Sequence, residues 1–309
     1  MKRIVLVISI LLIAFVGEAQ QDAMFTHYSF NTLAVNSGYA GSREALTITG
    51  LHRSQWVMFP GAPTSQTLTV HGPIKNEKLG IGFSILNDRI GPIRNTGASI
   101  DLAYKIKFGN GKLAFGLKAG LNVQSRRLAS EVQVNNKTDQ VFQGDIQSQL
   151  LPNFGFGLYY SIPTFYIGIS VPRLLENDFS NNGVFSGVSS QRRHYYFITG
   201  LIFPINHRQT IKFRPTSYVK VTQGAPLTID FTGLFYFDDK FWVGPMWRTT
   251  DAFGILSGVN INRQFSIGYS FDWSYGNSTG PYNAGSHELL IRYDFIYDRG
   301  KRILSPRYF

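Results

Sequence analysis

Residues 264–273 read QFSIGYSFDW, with Phe265, Ile267, Tyr269, Phe271 and Trp273 at one parity and Gln264, Ser266, Gly268, Ser270 and Asp272 at the other. Side chains alternate across a strand, so this segment has an apolar face and a polar one. The same period of two recurs elsewhere. Leu113, Phe115, Leu117, Ala119, Leu121 and Val123 alternate with Lys112, Ala114, Gly116, Lys118, Gly120 and Asn122. Leu289, Ile291, Tyr293 and Phe295 alternate with Glu288, Arg292 and Asp294. Such segments fall at 45–57, 65–72, 79–87, 96–107, 112–124, 152–161, 164–171, 194–204, 209–221, 226–237, 240–248, 253–262, 264–273 and 286–296. A charge at every second position is hard to bury in a sandwich core and easy to place in a hydrated lumen. The pattern therefore predicts an all-β protein: a transmembrane antiparallel β-barrel of about fourteen strands over 45–296.

The connections test this independently, because barrels of the outer membrane have short periplasmic turns and longer outer loops. Phe108–Gly111, Ile162–Pro163, Ile205–Arg208, Asp238–Asp239 and Arg263 all follow even-numbered segments and are short. The long stretches 125–151, 172–193 and 274–285 all follow odd-numbered ones. This parity sets an even strand count and predicts both termini in the periplasm.

The first nineteen residues read as an export signal: Lys2 and Arg3, an apolar run from Ile4 to Val16, then Gly17-Glu18-Ala19 before a cut at Gln20. No cysteine follows, which argues against a lipid anchor, and no later apolar run has the length of a membrane helix. Residues 20–44 do not alternate and are rich in Asn, Ser, Thr and Gly. They are expected to be irregular and to lie at the periplasmic mouth or in the lumen. Residues 297–309 are a short extension beyond the last strand.

Formal net charge is +11, dispersed along the chain rather than gathered in one stripe, so solvated loops and lumen account for it and nucleic acid is not an expected partner. Trp56, Phe59, Tyr159, Tyr160, Tyr195, Tyr196, Trp242, Trp247, Trp273 and Tyr275 sit near strand ends, as interfacial girdles do. Glycines at 80, 82, 116, 120, 155, 157, 168 and 268 fall at inward positions and would make room inside a narrow barrel.

No catalytic chemistry assembles. The absence of cysteine removes thiol catalysis and thiolate metal sites. His27, His52, His71, His194, His207 and His287 form no metal-ligating motif. Ser286 and His287 are neighbours on a strand and point to opposite faces. Glu288 and Arg292 instead suggest a luminal charge network. The expectation is a non-enzymatic protein without cofactor or metal.

The opening QDAMFTHYSFN, followed by VNSGYAGS, resembles the start of the PorP/SprF family of Bacteroidetes at Gln21, Asp22, Phe25, Tyr28, Asn31, Asn36, Tyr39, Ala40 and Gly41. Ala23 and Ser37 stand where that family has proline. Further blocks are similar at Arg53, Gln55, Trp56, Ala62 and Pro63, at Asp88 and Gly91, in IGYSFD (267–272) and in GSHELLIRYDF (285–295). The resemblance implies an outer-membrane component of type IX secretion and gliding motility. It would support export or surface attachment of large proteins bearing type-B C-terminal domains, with periplasmic ring and motor components as further partners. A channel for small solutes is the alternative. Partner contacts are expected at Gln21, Asp22, Phe25, Tyr28 and Asn36 in the N-terminal segment and at Arg126, Arg127, Arg192 and Arg193 in the long loops.

Overall fold

The alternating segments become the staves of one antiparallel wall in the computed structural model, which describes residues 24–74, 77–127, 146–178, 190–249, 251–276 and 282–296. The wall has fourteen strands. They are β1 (Leu46–Ser54), β2 (Thr64–Pro73), β3 (Leu79–Ile90), β4 (Ile93–Phe108), β5 (Gly111–Arg126), β6 (Ile146–Ile162) and β7 (Phe165–Val171), then β8 (His194–Leu201), β9 (Ile211–Thr222), β10 (Thr228–Phe237), β11 (Phe241–Arg248), β12 (Ala252–Asn260), β13 (Phe265–Ser274) and β14 (Ser286–Phe295). Each pairs with its sequence neighbours, and β14 returns to β1, with Leu46 opposite Phe295 and Ser54 opposite His287. Closure leaves no unpaired edge, which is what allows strands to cross a membrane.

The period of two sorts the side chains as the sequence predicts. On β13, Ser266, Gly268, Ser270, Asp272 and Ser274 are buried inside, while Tyr269 and Trp273 are exposed outside. On β5, Leu117 remains 63% exposed and its neighbour Lys118 turns inward and is buried. Exposed Ile81, Phe83, Ile100, Leu102, Phe154, Ile169, Phe231, Ile255 and Leu289 continue this outer surface from strand to strand. An apolar belt of that extent is far larger than the patches soluble proteins show, and it faces lipid. No helix among the described residues is long and apolar enough to cross a membrane.

The strand ends that flank 127–145, 172–193 and 275–285 share one rim, and the strand ends joined after β2, β4, β6, β8, β10 and β12 share the other. Two of the short turns have two residues, Pro163-Thr164 between Ile162 and Phe165 and Gly109-Asn110 between Phe108 and Gly111, where Gly109 takes a φ of 56° at no steric cost.

Two expectations about boundaries need correction. The segment 88–95 is not a loop: β3 and β4 run on to a two-residue turn at Gly91-Pro92. Alternation continues through it, with Asp88 buried inward and Arg89 outward, but outward charges there mimic loop composition. Arg126 likewise ends β5 rather than lying in a loop, and its side chain is buried.

The aromatic girdle is also revised. Trp247, Trp273, Tyr195 and Tyr275 are exposed near the rim of the longer connections, where Trp247 Nε1 donates to Tyr275 Oη (3.0 Å). Trp242, Tyr159 and Tyr196 instead point inward and are buried.

Lipid exposure makes a depth-dependent prediction. Leu117→Arg places a charge near the middle of the belt and is expected to cost about 2–4 kcal/mol, whereas Val123→Arg, near the rim, costs about 0–1 kcal/mol. Urea titration of folding into lipid vesicles measures both.

Candidate functional site

Residues 24–44 do not join the wall; they run inside it. Two single 3-10 turns, Thr32–Ala34 and Ser37–Tyr39, are the regular structure in this stretch. Met24 lies next to Lys220, in the half of the lumen nearer the long connections (Nζ to sulfur 3.3 Å). From there the chain descends to Arg43 at the rim of short turns, beside the start of β1.

An irregular backbone shut inside a barrel has no ladder to satisfy its amides and carbonyls, and each must find another partner. The wall's inward side chains supply them. The amides of Thr26 and His27 donate to the two carboxylate oxygens of Glu288 (2.8 Å each). Ser170 Oγ donates to the carbonyl of Val35 (2.7 Å) and Asn36 Nδ2 donates to the carbonyls of Leu158 (3.0 Å) and Ile169 (3.3 Å). The amide of Gly41 donates to His71 Nδ1 (3.0 Å), and Lys105 donates to the carbonyl of the same glycine.

Charge pairing fixes both ends. At the upper end, Thr26 Oγ1 and Arg53 Nη1 both donate to Asp272 Oδ2 (2.6 Å each), and His27 Nδ1 donates to Glu288 Oε1 (2.7 Å). At the lower end, Arg43 forms a bidentate pair with Asp294 (2.8 and 3.1 Å), to which Thr47 Oγ1 also donates (2.7 Å). Fully buried carboxylates cost several kcal/mol each unless paired and hydrogen-bonded, and these are both. Beyond the network, Arg248 holds Asp230 through three hydrogen bonds of 2.8–3.1 Å and reaches Asp251 of the β11–β12 turn at 3.8 Å. Burial pushes the Asp251 carboxyl up from the ordinary range, and Arg248 and Arg53 draw it back.

Aromatic packing fills what remains. Phe30 stacks on Trp242 (centroids 4.6 Å), Tyr28 on Tyr218 (4.8 Å), and Tyr39 meets Tyr159 edge-on (5.3 Å). Arg214 lies over the Phe30 ring at 4.5 Å. Inward glycines form the track for this plug. A Cβ at Gly116 would overlap the backbone of Ser37 and Gly38, and one at Gly80 would overlap the carbonyl of Ala40. Gly157 and Gly168 leave space for the Asn36 side chain.

Nearer the long connections the plug leaves a cavity of about 120 Å³. Phe25, Ser84, Ser99, Lys118, Asn122 and Tyr196 contribute to its lining. Lys118 is paired with Asp101 (3.1 Å), and Ser84 Oγ is buried with no hydrogen-bond partner among the described residues.

The residues expected to contact partners separate. Phe25 lines the cavity and is half-buried. Tyr28 and Asn36 are buried, the first at Thr216 and Thr232 (3.0 and 3.3 Å), the second in the β6–β7 wall. Arg126 is buried near Gln124 Oε1 (3.4 Å), while Arg127 is exposed at the end of β5. At the rim, exposed Arg192 approaches Glu176 (4.0 Å), the backbone amide of half-buried Arg193 donates to Glu176 Oε1 (3.2 Å), and Arg193 Nε donates to the carbonyl of Leu174 (2.9 Å). Gln21 and Asp22 lie outside the described residues, as do the export signal and residues 297–309. Sequence reasoning missed Thr26, His27, Arg43, Arg53 and Asp272 as a docking set. The inward parity of Arg53 and Asp272 was readable, but their joint partner was not. Glu288 and Arg292 are both luminal as expected, yet Glu288 takes His27 and Arg53 as partners, and Arg292 approaches Asp294 (3.8 Å).

Because the chain has no cysteine, a single introduced thiol reports on plug docking. Ser37→Cys in the otherwise native barrel is expected to resist an impermeant thiol reagent. Adding Gly116→Leu, which obstructs the track, is expected to raise the labelling rate at least about tenfold, as the segment leaves its buried site.

Comparison with known proteins follows this geometry. Among solved structures, the chain is similar to Omp33 of Acinetobacter baumannii (9% identity, 82% of this chain and 100% of that one, TM-score 0.48). It is also similar to the NanC porin (10% identity, 82% and 100%, TM-score 0.43) and to BamA from Haemophilus ducreyi lacking POTRA domains 1–3 (8% identity, 82% and 71%, TM-score 0.43). No curated protein matches the sequence. The family described as "Type IX secretion system membrane protein PorP/SprF" matches residues 17–293. That match takes in the plug and nearly all of the wall, and the chain belongs to the PorP/SprF family of type IX secretion membrane proteins.

Proposed function

We propose that this outer-membrane barrel holds a segment of a large secreted or surface protein, one bearing a type-B C-terminal domain, and is not a solute channel. The observation that carries this reading is the filled lumen. A continuous water path would have to pass Phe30 against Trp242, Tyr39 against Tyr159, and the paired charges of Arg43 and Arg53. The plug supplies a floor, and the cavity above it, bordered by Phe25, Lys118 and Tyr196, lies on the side of the long connections, where the client would enter. In the orientation we propose, those connections face outward. β1 then begins and β14 ends at the periplasmic rim, where ring and motor components of the system would meet the barrel.

In this reading Phe25 touches the client directly. Tyr28 and Asn36 act indirectly, by seating the plug. Arg127, Arg192 and Arg193 stand at the mouth and favour acidic client segments. Gln21 and Asp22 extend the candidate contact surface. No residue here is assigned a catalytic role.

Two measurements test the proposal. Purified barrel in planar bilayers is expected to show no large steady conductance, and deletion of residues 24–44 is expected to create one. A photo-crosslinking residue at Phe25 or Tyr196 is expected to capture a large exported protein in intact cells, while one at lipid-facing Leu117 captures none. A large open current from the native chain, with no crosslinked client, would return the channel reading to first place.

A further inference from the structure

We propose that the outer wall at the β3–β4 hairpin binds the phosphate headgroup of the outer-leaflet glycolipid, lipopolysaccharide, through Arg89 and Arg94. The choice of leaflet rests on the orientation proposed above. The two arginines are direct partners across the hairpin and both are exposed. Their parity is outward: Asp88, between Asn87 and Arg89, is buried in the lumen, where it accepts from Ser65 Oγ at 2.5 Å.

Height along the wall places them at a headgroup level. Below Arg89 on the same face come Asn87, then Ile85, Phe83, Ile81 and Leu79; below Arg94 come Thr96 and Ala98, then Ile100 and Leu102. Arg89 is ten residues from Leu79. At roughly 3.4 Å per residue and a tilt of about 40°, that is roughly 26 Å, close to the height of about 25 Å typical of an apolar belt. The arginines therefore stand where acyl chains end. Exposed Arg127 follows β5 beside the same turn, its amide donating to the carbonyl of Pro92 (3.2 Å).

The pair is unfavourable as it stands, because like charges directly opposite each other on a sheet repel. Neither arginine forms an ion pair with a described acidic side chain. Arg89 reaches the carbonyl of Gly91 through Nε at 3.5 Å, and Arg94 makes no side-chain hydrogen bond to the described residues. Luminal arginines behave differently: Arg43, Arg53 and Arg248 each hold a carboxylate. The hairpin is also held in place, since Gly91 donates its amide to the carbonyl of Gly61 (2.9 Å) and Thr96 Oγ1 donates to Asn87 Oδ1 (3.0 Å). Two guanidinium groups on a rigid hairpin, above an apolar strip, fit a phosphate flanked by acyl chains.

The test is binding of purified lipopolysaccharide to the intact barrel in detergent, read by native mass spectrometry. The comparison is between the native protein and the double variant Arg89→Gln/Arg94→Gln. The variant is expected to lose at least about tenfold in bound lipopolysaccharide, and the native barrel is expected to discriminate against both dephosphorylated lipopolysaccharide and phosphatidylglycerol. Unchanged binding by the variant overturns the proposal, and so does equal uptake of phosphatidylglycerol or preference for an acidic peptide. Heat-modifiability on gels confirms that the variant is folded. An epitope in the 223–227 connection, read on intact cells, tests the orientation separately. Crosslinking at Phe25 is expected to be unaffected by the variant, so failure of this site and failure of the client-holding reading are distinguishable.

Discussion

Half of the residues in this wall point into a space that is too narrow for bulk solvent and too polar for a hydrocarbon core. That constraint organises everything else. Ser270, Asp272, Glu288 and Thr49 are essentially inaccessible, and their polarity must be met by other protein groups. Arg53 alone does not suffice for Asp272 and Glu288. Glu288 also accepts from the amides of Thr26 and His27 and from the His27 ring, and Asp272 Oδ2 accepts from the Thr26 hydroxyl. The wall thus lacks its full complement of hydrogen bonds until the N-terminal segment is in place, and the segment has no regular structure of its own to fall back on. Each completes the hydrogen bonding of the other.

This reciprocity gives physical content to the family's scattered sequence blocks. The opening block holds Thr26 and His27, the second holds Arg53, and the last two hold Asp272 and Glu288. They are separated by as many as 262 positions and meet in one buried network. Asn36 makes the same point at the lower half of the lumen, spanning 122 and 133 positions to reach carbonyls on adjacent strands. A barrel shows its strands through local periodicity. Its plug is visible only through which distant side chains it satisfies.

That difference explains what could be read in advance. The segment 264–273 announces its faces because one parity is apolar and the other small or polar. The loop parity followed from composition alone, since Gly, Pro and Asn-rich stretches interrupt the alternation. Strand β11, FWVGPMWR, was harder: Phe241, Val243, Pro245 and Trp247 face lipid, but the inward set also contains Trp242 and Met246. An inward tryptophan makes sense only once Phe30 is stacked against it. Arg89 and Arg94 were lost to the loop because charge on an outward position looks like solvent exposure, whether water or a headgroup receives it. The inward glycines were recognised as space, but nothing in their spacing said that the space was already taken by residues 33–40 of the same chain.

The charge balance follows from the same geometry. Burial favours pairing inside the wall: Arg43, Arg53, Arg248 and Lys118 meet Asp294, Asp272, Asp230 and Asp101, and Lys105, Arg214, Lys220 and Arg292 are buried there as well. A chain with formal net charge +11 carries further cations outside the lumen. Exposed Arg89, Arg94, Lys107, Arg127 and Arg192 are on the outer face or the rims. A field from charges in those places is screened over roughly 8–10 Å at physiological salt, so it acts on what touches the rim and the headgroup region and not on what lies at the lumen floor. The plug and the wall between them take up much of the interior's charge in pairs. Selectivity for a client or a lipid therefore belongs to the edges of this barrel, and the lumen contributes shape.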